Sequence, residues 1–370
     1  MIIRRVILAA MMTGTLFAQE TPAPPTPTPT PAATPSPTPV PPPLTTRQLI
    51  NGLKDEEVEA ALKSLRENFL DPAKIDDNAV QRATLEGLLR RLSPGAFVVS
   101  GTGQKEKSEA APFVAEILDA HIAYLRPGDL TKDSLAQFDA ALTGFAQEKF
   151  DAVILDLRGV PEGGDFEIAA DFARRFCPKG KLLFSIQKPS AKQERIFTSN
   201  QDPVFQGVMV VLTDADTAGA AEALAGTLRL NAGAMIIGSD TTGEAVEFAE
   251  SPLGGDAVLR VAIAQVILPE SGPIFPGGVK PDVAISLPRD VQEEIFRQSK
   301  EKGVSQFVFE TERKRMSEAS LVANMNPEID SAQAAQRERG RAPQLRDTVL
   351  QRAVDLVTAI NFYRAKKERL

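Results

Sequence analysis

The sequence predicts an α/β fold built on a largely parallel sheet, flanked by helices at both ends. Two observations carry that expectation. Between residues 121 and 268, short apolar runs alternate with amphipathic stretches. Strand, helix, strand in that rhythm implies right-handed crossovers and parallel strands. The second observation is where proline falls: twelve of the 28 prolines lie between Thr21 and Leu44, so folding is left to Thr45 through Leu370. A chain of that length buries about three quarters of its unfolded surface and needs no covalent staple.

In chain order, Met1 to Ala18 reads as a secretory signal. Arg4 and Arg5 give a positive start, Val6 to Phe17 is almost wholly apolar, and cleavage is expected after Ala18. The run falls short of the ~20 residues that span a bilayer, so export to the periplasm or beyond is expected, with no stable membrane span. Residues 19–44 alternate Pro with Thr, Ala and Ser, the composition of an extended spacer.

Over residues 45–98, Leu49, Leu53, Val58, Leu62, Leu65 and Phe69, then Val80, Leu85, Leu88, Leu89 and Leu92, recur at helical spacing. Two amphipathic helices broken near Asp71-Pro72 fit that pattern, with a polar loop from Ser100 to Ala111. The core spans residues 112–287. Strands are expected at 121–125, 152–157, 182–186, 208–212, 235–237 and 258–268, and helices at 132–145, 166–176 and 218–230. Residues 288–370 are helical and end in a stretch with Val349, Leu350, Val354, Leu356, Val357 and Ile360 along one side. That last helix is expected to be solvated or to meet a second copy, and a homodimer through the helical segments is the assembly the sequence suggests.

Composition removes several chemistries. His121 is the only histidine, so a site with two histidine ligands is excluded, and its place at a strand entry favours a structural role. Cys177, the only cysteine, ends a helical pattern and reads as a buried small thiol. The net charge is −7, and no basic stripe is interleaved with aromatics, which argues against nucleic acid. No cofactor or metal is expected. Asp214, Asp216, Glu222, Asp240, Glu244 and Glu247 form an acidic group, read as a solvated rim.

Four segments carry a resemblance. Asp156-Leu157-Arg158-Gly159-Val160-Pro161-Glu162-Gly163-Gly164 resembles the Asp-Leu-Arg turn of the C-terminal processing peptidases, or tail-specific proteases. Residues 211–222, Val-Leu-Thr-Asp-Ala-Asp-Thr-Ala-Gly-Ala-Ala-Glu, are similar to their nucleophile segment. Residues 238–244, Gly-Ser-Asp-Thr-Thr-Gly-Glu, resemble their lysine segment, and Gly278-Val279-Lys280-Pro281-Asp282 their closing motif. The resemblance runs from about Leu49 to Leu287. It implies a core related to the crotonase and Clp protease folds, and a serine nucleophile activated by a lysine that a glutamine supports.

The family's catalytic residues do not carry over. Aligned on Glu222, the nucleophile position holds Gly219, the lysine position Glu244 and the glutamine position Phe248. A serine hydroxyl attacks only when a base takes its proton, and glycine has no side chain to offer. Thr217 and Ser239 are the substitute hydroxyls; Thr217 reads as a helix N-cap after Asp216. The family's PDZ module needs on the order of 80 residues, yet the stretch from Ser93 to Ala120 has 28, so capture of a peptide by strand addition to that module is not expected. The resulting expectation is a pseudo-peptidase that binds protein or peptide, including C-terminal segments, with Gly163, Gly164, Gly219 and Ala220 lining an oxyanion or peptide-binding mouth. The competing expectation is an active serine-type endopeptidase with a relocated nucleophile.

Overall fold

A computed structural model describes residues 46–100, 110–119, 121–146, 150–162, 164–308 and 345–368. The expected signal, the proline spacer, most of the 100–111 loop and Gly163 lie outside the described residues. The chain divides into two compact units, Met1–Asp76 and Asp77–Leu370.

In the first unit, α1 (Thr46–Asn51) and α2 (Asp55–Asn68) are followed by a short 3-10 turn at Pro72–Ile75, where the Asp71-Pro72 break was expected. Asp55, Glu56 and Glu57 sit in the first turn of α2, where the helix dipole favours carboxylates, and the Lys54 N–H donates to Glu57 Oε2 at 2.8 Å.

The second unit opens with α3 (Asp77–Leu92) and contains two six-stranded sheets. The first is the expected one. β3 (Ile122–Arg126), β4 (Ala152–Asp156), β7 (Val208–Thr213), β8 (Met235–Gly238) and the short β12 (Val283–Ala284) run parallel, and β2 (Val114–Leu118) closes one edge antiparallel. Every residue of β3, β4 and β7 is buried. Helices cover both faces of these central strands, so both sides of the pleat must be apolar.

The pleat divides each strand between two cores. Val153 and Leu155 of β4, with Met209 and Val211 of β7, face α4 (Lys132–Phe145), α5 (Phe166–Arg174) and α6 (Ala220–Ala232). Ala152, Ile154, Val208, Val210 and Leu212 face the C-terminal helix α8 (Thr348–Glu368). That helix corrects the solvated or dimeric reading: Val349, Leu350, Ala353, Val354 and Val357 are buried against its own chain's sheet. Between α6 and α8 the chain forms α7 (Arg289–Lys302).

The second sheet is antiparallel and was largely unforeseen. β1 (Ala96–Ser100), β10 (Ala257–Leu268), β5 (Leu182–Lys188) and β6 (Gln193–Thr198) follow one another, with β9 (Val246–Gly254) and β11 (Gly272–Pro273) also on β10. Leu183, Phe184, Val266 and Leu268 from this sheet join the same core as α5 and α6. Helix α6 is therefore enclosed, and every residue from Ala220 to Leu228 is buried. Its many alanines fit that place, because a helix walled in on all sides has room for little else.

Candidate functional site

The site lies where β7 and β8 end. Parallel strands bring their C-terminal ends to one edge of the sheet, and open α/β sheets use that edge for function. After β7, Asp214 to Gly219 lead into α6; after β8, Ser239 to Glu244 lead into β9. His121 precedes β3 and so stands at the opposite end of the same sheet, where its Nδ1 meets the Asp119 carbonyl. The one histidine is remote from this edge.

Glu222 joins the two loops. It is the only charged residue in the stretch from Ala218 to Leu228, is fully buried, and occupies the third position of α6. Its Oε2 accepts the Gly219 N–H at 3.0 Å and the Glu244 N–H at 2.8 Å. Its Oε1 accepts the Gly243 N–H at 2.6 Å and the Thr241 hydroxyl. The amides of Gly219 and Glu244 thus converge on a single oxygen, so their separation cannot exceed those two bond lengths together. Burial pushes the Glu222 carboxyl up from its ordinary value, against the opposing pull of the Thr241, Gly243, Gly219 and Glu244 donors.

Two glycines permit this closeness. Gly219 holds φ 57° and ψ −118°, a region side chains adopt only under strain. Gly243 has φ 78°, and a Cβ there would stand 2.2 Å from the Pro276 carbonyl oxygen. The closing motif completes the loop: the Val279 N–H donates to Thr241 Oγ1 at 2.8 Å, and Asp282 accepts the Ile236 N–H at 2.8 Å beside β12.

The turn before α6 corrects the capping role expected for Thr217. The N-cap is Gly219, and the buried Thr217 hydroxyl instead donates to Asp214 Oδ1 at 2.8 Å while accepting the Asp214 N–H at 3.0 Å. The same Asp214 carboxylate takes Gly159 N–H at 3.3 Å and Gln292 Nε2 at 2.7 Å, tying the Asp-Leu-Arg turn and α7 to this loop. Ser239 sits at the end of β8 with its backbone bonded to Thr213, and no base among the described residues hydrogen-bonds its hydroxyl.

Among the described residues of the expected binding mouth, Gly219 and Ala220 are not open to a ligand. Gly219 is buried, as is Ala220, and the Gly219 N–H is already given to Glu222. Gly164 does reach this place, since a Cβ on it would lie 3.1 Å from the Ala220 Cβ. Val160 of the Asp-Leu-Arg turn is buried in the main core. Phe248 packs edge-on against Phe97 at 5.5 Å, and the Arg260 guanidinium lies 4.6 Å from its ring while Nη1 reaches Glu162 at 3.2 Å. The position expected for a supporting glutamine is thus filled by an apolar and cationic cluster. Arg260 Nε is 3.3 Å from Glu250 Oε1 but lacks hydrogen-bonding alignment.

The six acidic residues do not assemble. Half-buried Asp214 and buried Glu222 each bind the loops around them, Glu244 gives its N–H to Glu222, Asp216 pairs with Arg289 at 3.4 Å, Glu247 pairs with Arg195, and Asp240 is exposed. Among the described residues no group of three histidine, cysteine or acidic side chains is placed to hold a metal ion. Cys177 is buried, and burial pushes its thiol up to about 12.

On the far side of the Asp-Leu-Arg turn lies a second buried polar centre. Arg158 Nη2 is 2.7 Å from Asp156 Oδ2 and 2.8 Å from Asp347 Oδ2, and the Tyr124 hydroxyl donates to Asp156 at 2.7 Å. Asp347 also accepts the Leu350 N–H at 2.9 Å at the start of α8. Burial works against ionising Asp156, yet Arg158, Arg126 and the Tyr124 bond hold its carboxyl below the ordinary range.

Residues 121–285, which hold all four motifs, match the model of Peptidase family S41. The likeness to that family thus lies in residues 121–285. Relatives include the carboxyl-terminal-processing protease of Synechocystis, 27% identical over 182 residues, which are 48% of this chain and 42% of that protein. The carboxy-terminal processing protease CtpA of Bacillus subtilis is 24% identical over 174 residues, 47% and 37% of the two chains. The chain thus spans about two fifths of the length of these family members. Among solved structures, the photosystem II D1 C-terminal processing protease gives a TM-score of 0.40 at 22% identity, covering 57% of this chain and 53% of that one. A lipoprotein from Streptococcus agalactiae gives 0.43 at 15% identity, covering 65% and 94%.

Proposed function

We propose that this chain is an exported, non-cleaving member of the tail-specific protease family that acts by binding protein or peptide partners. The observation that carries the reading is the convergence of Gly219 and Glu244 on the Glu222 carboxylate. These are the positions aligned with the family's serine and lysine, and they come together without a hydroxyl or an amine. An attacking oxygen needs a base poised to take its proton, and a lysine serves only when burial lowers its pKa. No lysine among the described residues is buried. The Thr217 hydroxyl, the nearest substitute in sequence, is spent on Asp214.

Partner recognition falls to surfaces outside the closed joint, because a peptide carboxylate beside Ala220 would meet the Glu222 carboxylate. A polypeptide partner follows from the relatives, whose names describe processing of protein C-termini. No described helix is long and apolar enough to cross a membrane; export rests on the Met1–Ala18 segment, with its positive start and short apolar run.

Incubation of the purified chain with an unfolded protein and with a fluorophosphonate probe tests the reading. Neither cleavage nor adduct is expected. Cleavage that disappears on Thr217→Ala or Ser239→Ala would overturn it and establish a relocated nucleophile. Mass spectrometry of the protein from expressing cells tests export: a mature chain beginning near Gln19 is expected, and an intact Met1 in the cytosol refutes that part.

A further inference from the structure

The end of the parallel sheet opposite the Glu222 joint carries a groove. Helix α8 starts beside the buried Arg158 and Asp156, and near its other end Asn361 Nδ2 donates to Asp151 Oδ1 at 2.8 Å, just ahead of β4. One stripe of α8, from Gln351 through Asp355 and Ala359 to Phe362, faces Asp119 just after β2, and an open cavity of about 500 Å³ lies between them. From Gln351 to Phe362 the helix rises roughly 16 Å, the length of about five residues of extended chain.

The walls of the groove select its occupant. Val354 is buried and supplies an apolar floor, whereas Phe362 is 74% exposed and its ring has no aromatic partner among the described residues. Asp119 and Asp355 line the same cavity, and Asn361 brings Asp151 beside it. Among the described residues the Asp119 carboxylate has no partner, Asp355 accepts only Gln351 Nε2 at 2.8 Å, and Asp151 accepts only Asn361. No lysine, arginine or histidine among them pairs with these three carboxylates, although Arg352 and Lys366 lie on the same helix. A bare aromatic face beside unpaired carboxylates attracts a cation that carries an apolar stem. Arginine meets every wall: its methylenes cover Val354 and Ala359, its flat guanidinium stacks on Phe362, and its forked N–H groups match a carboxylate.

We propose that this groove docks an extended segment of a polypeptide partner through an arginine side chain. The net charge of −7 draws a basic segment toward the chain from a distance. The inference rests on the reading of this chain as a polypeptide binder and is independent of whether the chain cleaves.

Fluorescence anisotropy of a labelled, end-blocked Ala-Ala-Arg-Ala-Ala peptide with the purified chain tests it. Saturable binding is expected, about tenfold or more tighter than that of the same peptide with leucine in place of arginine. Asp355→Asn should weaken it about fivefold and Phe362→Ala about threefold. Both variants should keep the natural melting temperature, because both side chains are exposed. Glu194→Gln, on β6 of the other sheet, should leave the affinity unchanged. Equal binding of the leucine peptide overturns the choice of arginine. Equal weakening by Glu194→Gln shows attraction by net charge alone and overturns the site, as does a dimer in sedimentation that Phe362→Ala dissolves, since a second copy then fills the groove. Absence of peptide binding also overturns the groove; an unfolded protein that still binds leaves the polypeptide-binding reading standing, and failure of both removes both.

Discussion

Two carboxylates are buried equally well in the second unit and are held in opposite ways. Asp156 is neutralised by a formal positive charge, the Arg158 guanidinium, which it shares with Asp347. Among the described residues no cation contacts Glu222, which is held by three backbone amides and two threonine hydroxyls. The first arrangement locks α8 to the sheet across 189 residues of sequence. The second ties the loop before α6 to the loop after β8 through one carboxylate. Their difference shows that a buried charge can be stabilised by an opposite charge or by oriented dipoles, and that each solution fails differently when one member is removed.

The largest effect should come from Arg158→Ala. It leaves two buried carboxylates facing each other and should cost about 3–5 kcal/mol in urea unfolding, with α8 released first. A loss under 1 kcal/mol would mean that this ionic centre is solvated. Next, Glu222→Ala strands amides of Gly219, Gly243 and Glu244, at roughly 1–3 kcal/mol for a group left buried and unpaired. Limited proteolysis should then cut first between Ser239 and Glu244; protection of that loop would contradict the joint. Smaller again is Gly219→Ala, which forces a side chain into a strained backbone region at a cost on the order of 1–3 kcal/mol. A neutral result would show that the helix start relaxes.

The smallest effect concerns pH, where the two centres have opposite signs. The Asp156 carboxyl is held below its unfolded value of about 3.9, so its stabilisation is complete above that pH and is lost as pH falls through the folded value. The Glu222 carboxyl is raised above its unfolded value of about 4.3, so its contribution is complete below that pH and is lost as pH rises through the folded value. The cost of Asp156→Asn should therefore grow with pH in the acid range, while that of Glu222→Gln should shrink. Parallel trends in the two variants would refute the contrast between charge and dipole stabilisation.

Much of this was readable in advance. The alternation of apolar runs placed β3, β4, β7, β8 and β10 and helices α4, α5 and α6 within a few residues, because central parallel strands are apolar throughout and their crossover helices are amphipathic. The antiparallel sheet was hidden for the opposite reason. Gln193 to Thr198 is mostly exposed, so β6 leaves no hydrophobic signature. Glu222 was visible as the anchor of the alignment and as a member of an acidic group, but not as the joint between two loops. The available signal was its isolation, one charge amid Ala, Leu, Gly and Thr at the third position of a helix, where a carboxylate reaches back to the cap.

The motif order and the absence of serine and lysine at Gly219 and Glu244 were fixed by residue identity, since no folding can supply a side chain that the chain lacks. Whether those two positions meet, whether the mouth beside Ala220 is open, and which carboxylate Arg158 shares with Asp156 depended on packing between segments far apart in the chain. Only the tertiary structure could decide them, because hydrogen bonds and burial act through distance in space, whereas local sequence pattern reports only on neighbours along the chain.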